Sequence, residues 1–384
     1  MKLTINKKQF LASWGLAERS TSASGTVSIL SSVLIKASFD SVIMQATDIK
    51  TSVICRACGV TVIDPGEAVF PVKMVSELFK KAPGEEFAID VNEGKVTLKS
   101  GRSKYNFSSY PVSEFPPLPS SENAQTFCVV TAADLARSIE EGTLAASSGE
   151  EFPLYPSSAN FHISSGKLNI VSTDTRRLAV SSSGVSSSAD NVSALLPMKG
   201  VKELQRVIST LPPESEIKIL FDEAQFYFKT ETVEFAVRRV ESKFPPYEKI
   251  LPTSSTLDAV VDRADLISAL ERVDVIVRDF NRMVVMDVAP GSNLILQGRA
   301  PDFGNAKEEI EAKAEGEGLR IAVNSKFFLE ALRVIRDPEV KISFNGASGH
   351  MSVKRCDGED FLCMIAPINL SAEELAMFDR ESEQ

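Results

Sequence analysis

The sequence predicts an α+β fold written three times over, and three observations carry that prediction. Residues 1–19 (MKLTINKKQFLASWGLAER), 126–144 (TFCVVTAADLARSIEEGTL) and 257–275 (LDAVVDRADLISALERVDV) share one pattern: a short alternating strand, a polar capping residue and an amphipathic helix. About seventy residues into each copy a second strand-and-helix unit follows, in AVFPVKMVSELFKKAPGEEFAIDV, ALLPMKGVKELQRVISTLPPESEIKI and RIAVNSKFFLEALRVIRDPEVKIS. The copies recur every roughly 125 residues, which is too long for a solenoid unit and about the size of a whole domain. The expected division is 1–123, 124–252 and 253–370, with an acidic tail at 371–384.

Each element has its own signal. Helices are expected at 7–19, 71–82, 131–146, 198–210, 263–279 and 324–337. Asn6 with Gln9, Thr131 with Asp134, and Asp262 with Asp265 stand where a capping residue and its partner three positions on open a helix. In the second helix of each copy the apolar residues fall at helical spacing: Val72, Val75 and Phe79; Val201, Leu204 and Ile208; Phe328, Leu332 and Ile335. Period-two stretches follow, as in Val96 and Leu98, Phe226 and Phe228, or Val233, Phe235 and Val237. One apolar face on each element implies two helices packed on antiparallel sheets of about eight strands per copy.

Proline-rich segments punctuate matching positions: FPPLPSSENA from Phe115 and FPPYEKILPTSS from Phe244 read as stiff linkers. The third copy closes at IAPINL, Ile365 to Leu370, and SAEELAMFDRESEQ follows outside any repeat.

Composition narrows the function classes. The 384 residues are 43% hydrophobic and 24% charged, and no apolar run approaches the roughly 20 residues that span a bilayer. The opening MKLTINKKQF lacks the apolar segment of a secretion signal, and the five cysteines are odd in number and scattered. A cytoplasmic protein without a membrane partner is expected. The formal charge of −10 argues on its face against a phosphate-backbone partner. The charge is segregated, however: the six predicted helices come to roughly +4 and the rest of the chain to roughly −14. The cations that could face a polyanion are Lys73, Lys80, Lys199, Lys202, Arg206 and Lys326. Solvated helix faces favour Lys and Arg in any case, so one helix alone decides nothing.

An ordered set of motifs then carries a resemblance. MKLTINKKQF, ILSSVLI at 29–35, Ala46-Thr-Asp48, Pro71-Val-Lys73, Ser100-Gly-Arg102, Ser172-Thr-Asp174, Arg177-Leu-Ala179, Phe244-Pro-Pro-Tyr247 and Pro367-Ile-Asn-Leu370 together resemble the bacterial sliding clamps, the beta subunits of DNA polymerase III. The resemblance runs from residue 1 to about 370, and no one motif is specific alone. It implies a DNA clamp fold, a head-to-tail homodimer closed around duplex DNA without base readout, and no catalysis or cofactor. It further implies polymerase, clamp loader and repair proteins as partners, bound as short peptides between the second and third copies.

Carried over by position, that peptide cleft comprises Tyr155, Thr173, Arg177, Leu178, Pro245, Ile250, Phe280, Asn324, Phe327, Met364, Ile365, Pro367, Ile368 and Leu370. The dimer contact would set Tyr105 and Phe107 against Val275 and Ile276. Three positions depart from the family: Thr175-Arg176 stand where Gly-His is frequent, Asn369 where a basic residue is common, and Ser24 where Arg is often found. The family chain usually stops at the equivalent of Leu370. The fourteen residues beyond it are either a disordered acidic extension or, through Leu375, Met377 and Phe378, a weak competitor folded back on the cleft.

Other signals carry less. Cys55-Arg-Ala-Cys58 has zinc-like spacing but no second pair, and reads as a strand. His162 and His350 fall in different copies; a structural place is the better reading for His350, with the cleft as the alternative. Asp48 and Asp174 follow Thr at equivalent positions, which suggests a recurring turn rather than a catalytic pair. No Gly-rich Lys-Ser/Thr phosphate loop is present. A cofactor-independent enzyme is disfavoured because no polar constellation is unique to one copy; a scaffold that binds only proteins through the linker clefts is the third reading.

Overall fold

The computed structural model describes residues 1–22, 28–149, 152–189 and 191–370, together with Glu374 and Phe378. Ser24, Leu375 and Met377 lie outside the described residues.

Helices form where caps and apolar spacing place them. Asn6 Oδ1 accepts the Gln9 N–H at 3.2 Å and opens α1, Lys7–Arg19. Helix α2, Val72–Lys81, starts directly after Pro71, which needs no N–H partner there. Thr131 Oγ1 accepts the Asp134 N–H at 3.1 Å and donates to the Asp134 carboxylate at 2.8 Å, a reciprocal cap on α3, Ala132–Gly142. Helix α4, Met198–Ile208, again follows a proline. Asp262 accepts from Asp265 N–H at 2.9 Å to open α5, Arg263–Val277, and Asn324 accepts from both Lys326 and Phe327 N–H to open α6, Ser325–Val334.

Among the described residues the chain forms four antiparallel sheets, with nine strands in each third rather than about eight. Pieces as short as Ser186–Ser188 are too brief to show an alternation in sequence. Two sheets are local to one copy. One runs Val60–Asp64, Lys2–Asn6, Glu86–Asn92, Lys95–Ser100, Ser103–Ser108; the other runs Gly304–Ile310, Leu294–Ala300, Met283–Val288, Leu319–Asn324.

The two nine-stranded sheets are each shared between copies. In one, Val233–Arg238 of the second copy pairs with Thr51–Arg56 of the first, Val237 opposite Thr51. In the other, Arg177–Gly184 of the second copy pairs with Phe361–Ile365 of the third, Arg177 opposite Ile365. Compactness follows the sheets rather than the sequence repeats. Residues 1–136, 185–192 and 199–240 make one unit; 137–184, 193–198 and 241–384 make another.

In the first unit the α1–α2 core is aromatic: Phe10 stacks on Trp14, Phe79 meets both edge-on and packs at a tilt against Phe87, and buried Trp14 Nε1 donates to Ser76 Oγ at 2.7 Å. In the second unit, α5 and α6 close over Leu257, Val284, Met286, Leu296, Val323, Ile342 and Val353, all essentially without solvent.

A buried charge cluster ties the end of α3 to the third copy's strands. Glu141, 2% exposed, accepts from Ser181 Oγ at 2.6 Å and Arg137 Nη1 at 3.2 Å and pairs closely with Arg355. Arg355 also meets Asp337 at 3.2 Å and Asp360 at 3.0 Å. Burial works against the Arg355 charge, but Glu141 and Asp360 hold the guanidinium above its ordinary value. Removing one member of such a cluster strands the other in low dielectric. Glu141→Ala is therefore expected to destabilise the chain by about 3–5 kcal/mol, read as a lowered urea midpoint at unchanged slope.

Candidate functional site

The two shared sheets end in the same turn, and the turn places the candidate site. In the first copy Thr47 Oγ1 donates to Thr51 O at 2.8 Å, while Asp48 Oδ1 accepts from the Lys50 and Thr51 N–H groups; Ile49 takes φ of 75°. In the second copy Thr173 Oγ1 donates to Arg177 O at 2.7 Å, Asp174 Oδ1 accepts from the Arg176 and Arg177 N–H groups, and Thr175 takes φ of 75°. The Thr-Asp pairs are turn-builders, as the repeat implied.

What packs beside each turn differs. At the first, the start of α4 presses close: a Cβ on Gly200 would lie 2.5 Å from Val237 Cγ1 and 3.6 Å from Thr51 Cγ2. Lys199 Nζ reaches Asp48 at 3.0 Å. Burial of Asp48 opposes ionisation, but the Thr51 amide and Lys199 prevail and hold its carboxyl below the usual range. At the second turn, Arg177 stands where Thr51 does and Phe327 where Gly200 does, each by strand register and helix position. The Arg177 guanidinium lies 4.2 Å from the centre of the Phe327 ring, pairs with Asp174 at 3.1 Å and closely with Glu330 of α6. Two large side chains thus replace a glycine contact.

Next to Arg177 lies an apolar cluster. Leu178 and Met364 are cross-strand neighbours, joined by Val171 and Val180 on the same sheet and covered by Tyr247, Phe244 and Leu251 of the second linker. Tyr155 packs edge-on against Phe244 at 6.0 Å, and Phe244 against Tyr247 at 6.3 Å. The Tyr247 hydroxyl lies 2.9 Å from His162 Nδ1, and burial, with Glu248 alongside, pushes the phenol above its ordinary value. The linker is therefore a wall of the cluster rather than a free tether. Pro245 is half-buried beside it, and Ile250 is 45% exposed.

The remaining expected residues have distinct places. Ile365 faces the third copy's core, fully buried, on the side opposite Met364, so it cannot line the cluster. The Asn324 side-chain oxygen is committed to capping α6, and both hydrogen-bonding roles of the Thr173 hydroxyl are used within its turn. After the last strand, Ala366 N–H donates to Arg176 O at 2.8 Å and Ile368 N–H to Ala322 O at 2.7 Å, which sets Pro367, Ile368 and Leu370 half-buried along this edge. Phe280, at the end of α5, is 57% exposed. His350 is exposed; His162 is the buried histidine, on Tyr247.

Of the six cations singled out, all are exposed, and three have partners: Lys199 with Asp48, Arg206 with Glu203, and Lys326 with Glu330 at 3.9 Å. In the first unit, Arg19 Nη1 donates to Arg206 O at 3.2 Å and Gln205 Nε2 to Ala136 O at 3.0 Å, so α1, α4 and the start of α3 lie side by side. In the second, Arg336 meets Glu140 of α3 at 3.5 Å and Arg333 meets Glu271 of α5 at 2.7 Å. Helices from neighbouring copies are lateral neighbours in both units.

Comparison with known proteins follows the same three-part order. Residues 1–119 match the DNA polymerase III beta subunit N-terminal domain, 129–246 its central domain and 248–369 its C-terminal domain. The chain belongs to the DNA polymerase III beta subunit family. The beta sliding clamp of Bacillus subtilis is 26% identical over 379 residues, covering 96% of this chain and 99% of that one; the clamp of Pseudomonas putida is 26% identical over 372 residues, covering 96% and 100%. The crystal structure of the Bacillus subtilis sliding clamp superposes with a TM-score of 0.90 at 25% identity, over 97% of this chain and all of that one. A Pseudomonas aeruginosa clamp bound to griselimycin gives 0.90 at 25% identity, over 96% and 100%.

The beta-subunit framework also clarifies the cysteines. Among the described residues no group of three or more His, Cys, Asp or Glu is placed to hold a metal; Cys55 is a free thiol in the strand Thr51–Arg56 and Cys58 a free thiol in the loop just after it. Burial pushes Cys55, Cys128 and Cys363 up to about 12, whereas Cys58 and Cys356 are exposed. Iodoacetamide at about pH 8 should modify Cys58 and Cys356 in the folded chain and all five thiols only in denaturant, as read by intact mass. Early labelling of Cys55 would contradict the buried strand.

Proposed function

We propose that this beta-subunit chain works as a sliding clamp by closing head to tail with a second copy around duplex DNA, and that it has no catalytic activity of its own. The observation that carries the reading is the ordered match of all three domain types over residues 1–369. The helices meet the phosphates. Lys73 and Lys80 on α2 and Lys202 on α4 are exposed, which suits loose, sequence-independent contact. Lys199, Arg206 and Lys326 have intramolecular partners, so their share of the DNA field is partly cancelled.

Closure would use two sheet edges that have no partner strand among the described residues. Ser103–Ser108 carries Tyr105 and Phe107, both half-buried, at one edge. Gly304–Ile310, the other, packs against α5, which bears Val275 at 57% exposure and Ile276 half-buried. The sequence reading named α5 but missed this strand, whose alternation is masked by Lys307, Glu308 and Glu309. A head-to-tail dimer pairs each edge with the other and leaves neither open.

The apolar cluster of Leu178, Val180, Tyr247 and Met364, walled by Tyr155 and Phe244 and flanked by the Arg177–Phe327 stack, forms the peptide site. Apolar walls with few polar anchors suit an extended peptide with Leu and Phe side chains from a replicative polymerase, clamp loader or repair protein. The griselimycin-bound relative supports a ligand site on this scaffold. A cytoplasmic place follows from such partners.

Loaded on circular DNA by its clamp loader, the protein should be lost when the circle is cut and kept when the ends are blocked; persistence on linear DNA with open ends contradicts encirclement. Lys73→Glu with Lys202→Glu should lower the slope of log affinity against log salt by about one unit per phosphate contact removed, and an unchanged slope would clear both lysines of DNA contact. Leu178→Ala should weaken a bound peptide by about 10-fold or more while leaving DNA retention intact, measured by fluorescence anisotropy.

A further inference from the structure

Phe378 belongs to the segment beyond Leu370 and is only 6% exposed. Its seat is the outer face of the third copy's four-stranded sheet. On Met283–Val288 the residues Val284 and Met286 enter the core, and on Leu319–Asn324 so do Ile321 and Val323. Val285 and Ala322, directly opposite one another across the ladder, therefore face the other way. That face would be apolar and wet without a cover, yet Val285 is 0% and Ala322 3% exposed. Phe378 completes the cover, with Met283, Ile368 and Leu370 packed around it. The seat includes two residues expected in the peptide cleft, Ile368 and Leu370, and Met283 pairs in the ladder with a third, Asn324.

We propose that the extension beyond Leu370 is an intramolecular ligand of the third copy, anchored by Phe378, and that a partner peptide must compete with it. The competition rests on the peptide-site reading above; the seat does not. Seven residues separate Leu370 from Phe378, so a short tether holds the ring near its seat at an effective concentration in the millimolar range. A contact of one aromatic side chain, which a free peptide makes only when supplied at about 0.1–1 mM, is then populated within the chain. The apparent affinity of any ligand needing that surface falls by the fraction of chains in which it is covered. The sequence beyond Leu370 holds Glu373, Glu374, Asp379, Glu381 and Glu383 against one Arg380, and Glu374 is exposed, so competition from a segment of this charge would disfavour acidic partners most.

The test uses the full chain, a chain ending at Leu370 and Phe378→Ala, with two labelled probes: a synthetic peptide of residues 371–384 and griselimycin, the ligand of the Pseudomonas aeruginosa relative. The 371–384 peptide should bind the shortened chain and be bound about 10-fold more weakly by the full chain, and the same peptide with the Phe378→Ala change should lose binding. Griselimycin should bind the shortened chain and Phe378→Ala about 2- to 10-fold more tightly than the full chain. Failure of the 371–384 peptide to bind the shortened chain overturns the seat. Binding of that peptide with equal griselimycin affinity for all three chains overturns the competition. Griselimycin binding to none of the three chains would count against the peptide-site reading and the competition together, while the 371–384 peptide still decides the seat.

Discussion

Two strand ladders between copies hold the architecture in place: Val233–Arg238 on Thr51–Arg56, and Arg177–Gly184 on Phe361–Ile365. Backbone N–H and C=O groups at a sheet edge must find partners or water. Here each copy satisfies its neighbour's edge, and the resulting nine-stranded sheets set everything near them. They fix the register that brings Arg177 opposite Ile365, direct Leu178 and Met364 to one face, and give the second linker a surface on which Tyr247 becomes buried. The charge cluster of Glu141, Arg355 and Asp360 reinforces the second ladder from the helix side.

The two junctions show how one template yields unlike surfaces. The Thr-Asp turn is the same in both, down to a positive φ at the third residue. At the first junction Gly200 lets α4 approach Val237 and Thr51 directly, and the linker borders an open cleft of about 420 Å³ whose walls include Leu34, Ile54 and Phe115 but also Lys36, Lys229 and Glu234. At the second, Phe327 and Arg177 fill that approach, and the surface beside them is carried by Leu178, Met364 and Tyr247. Apolar area with few polar interruptions is what a peptide can use, so two substitutions, one on the strand and one on the helix, separate a glycine-packed joint from the surface proposed for peptide binding.

Much of this was legible in the amino-acid order because it is local. The caps at Asn6, Thr131 and Asp262 act over three residues, the apolar stripes of the helices over one or two turns, and the Asp48 and Asp174 turns over four. Of the residues expected in the cleft, Tyr155, Leu178 and Met364 pack with the linker. What was illegible depends on pairing over long separations. Ile365 sits next to Met364 in sequence but on the opposite sheet face, a distinction made only once the partner strand is known. Lys199 looked like a free cation until Asp48, from another copy, came within 3.0 Å. Phe378 could be read as folding back on the cleft, but its seat on Val285 and Ala322 is set by the pairing of two strands that the tail itself does not reveal.

The same ladders impose a schedule on synthesis. Thr51 and Val237 are about 180 residues apart, as are Ser181 and Phe361, so each edge strand emerges long before the strand that covers it. At roughly 5–20 residues per second the wait is on the order of 10–40 s, during which a nascent chain presents an open β edge while translation continues. Chains on one messenger would show each other the same unpaired edge at the same time. A threefold duplication that gave the molecule its continuous sheets thus leaves the first and second copies each dependent on a later one, and makes translation rate and nascent-chain chaperoning part of how the fold is reached.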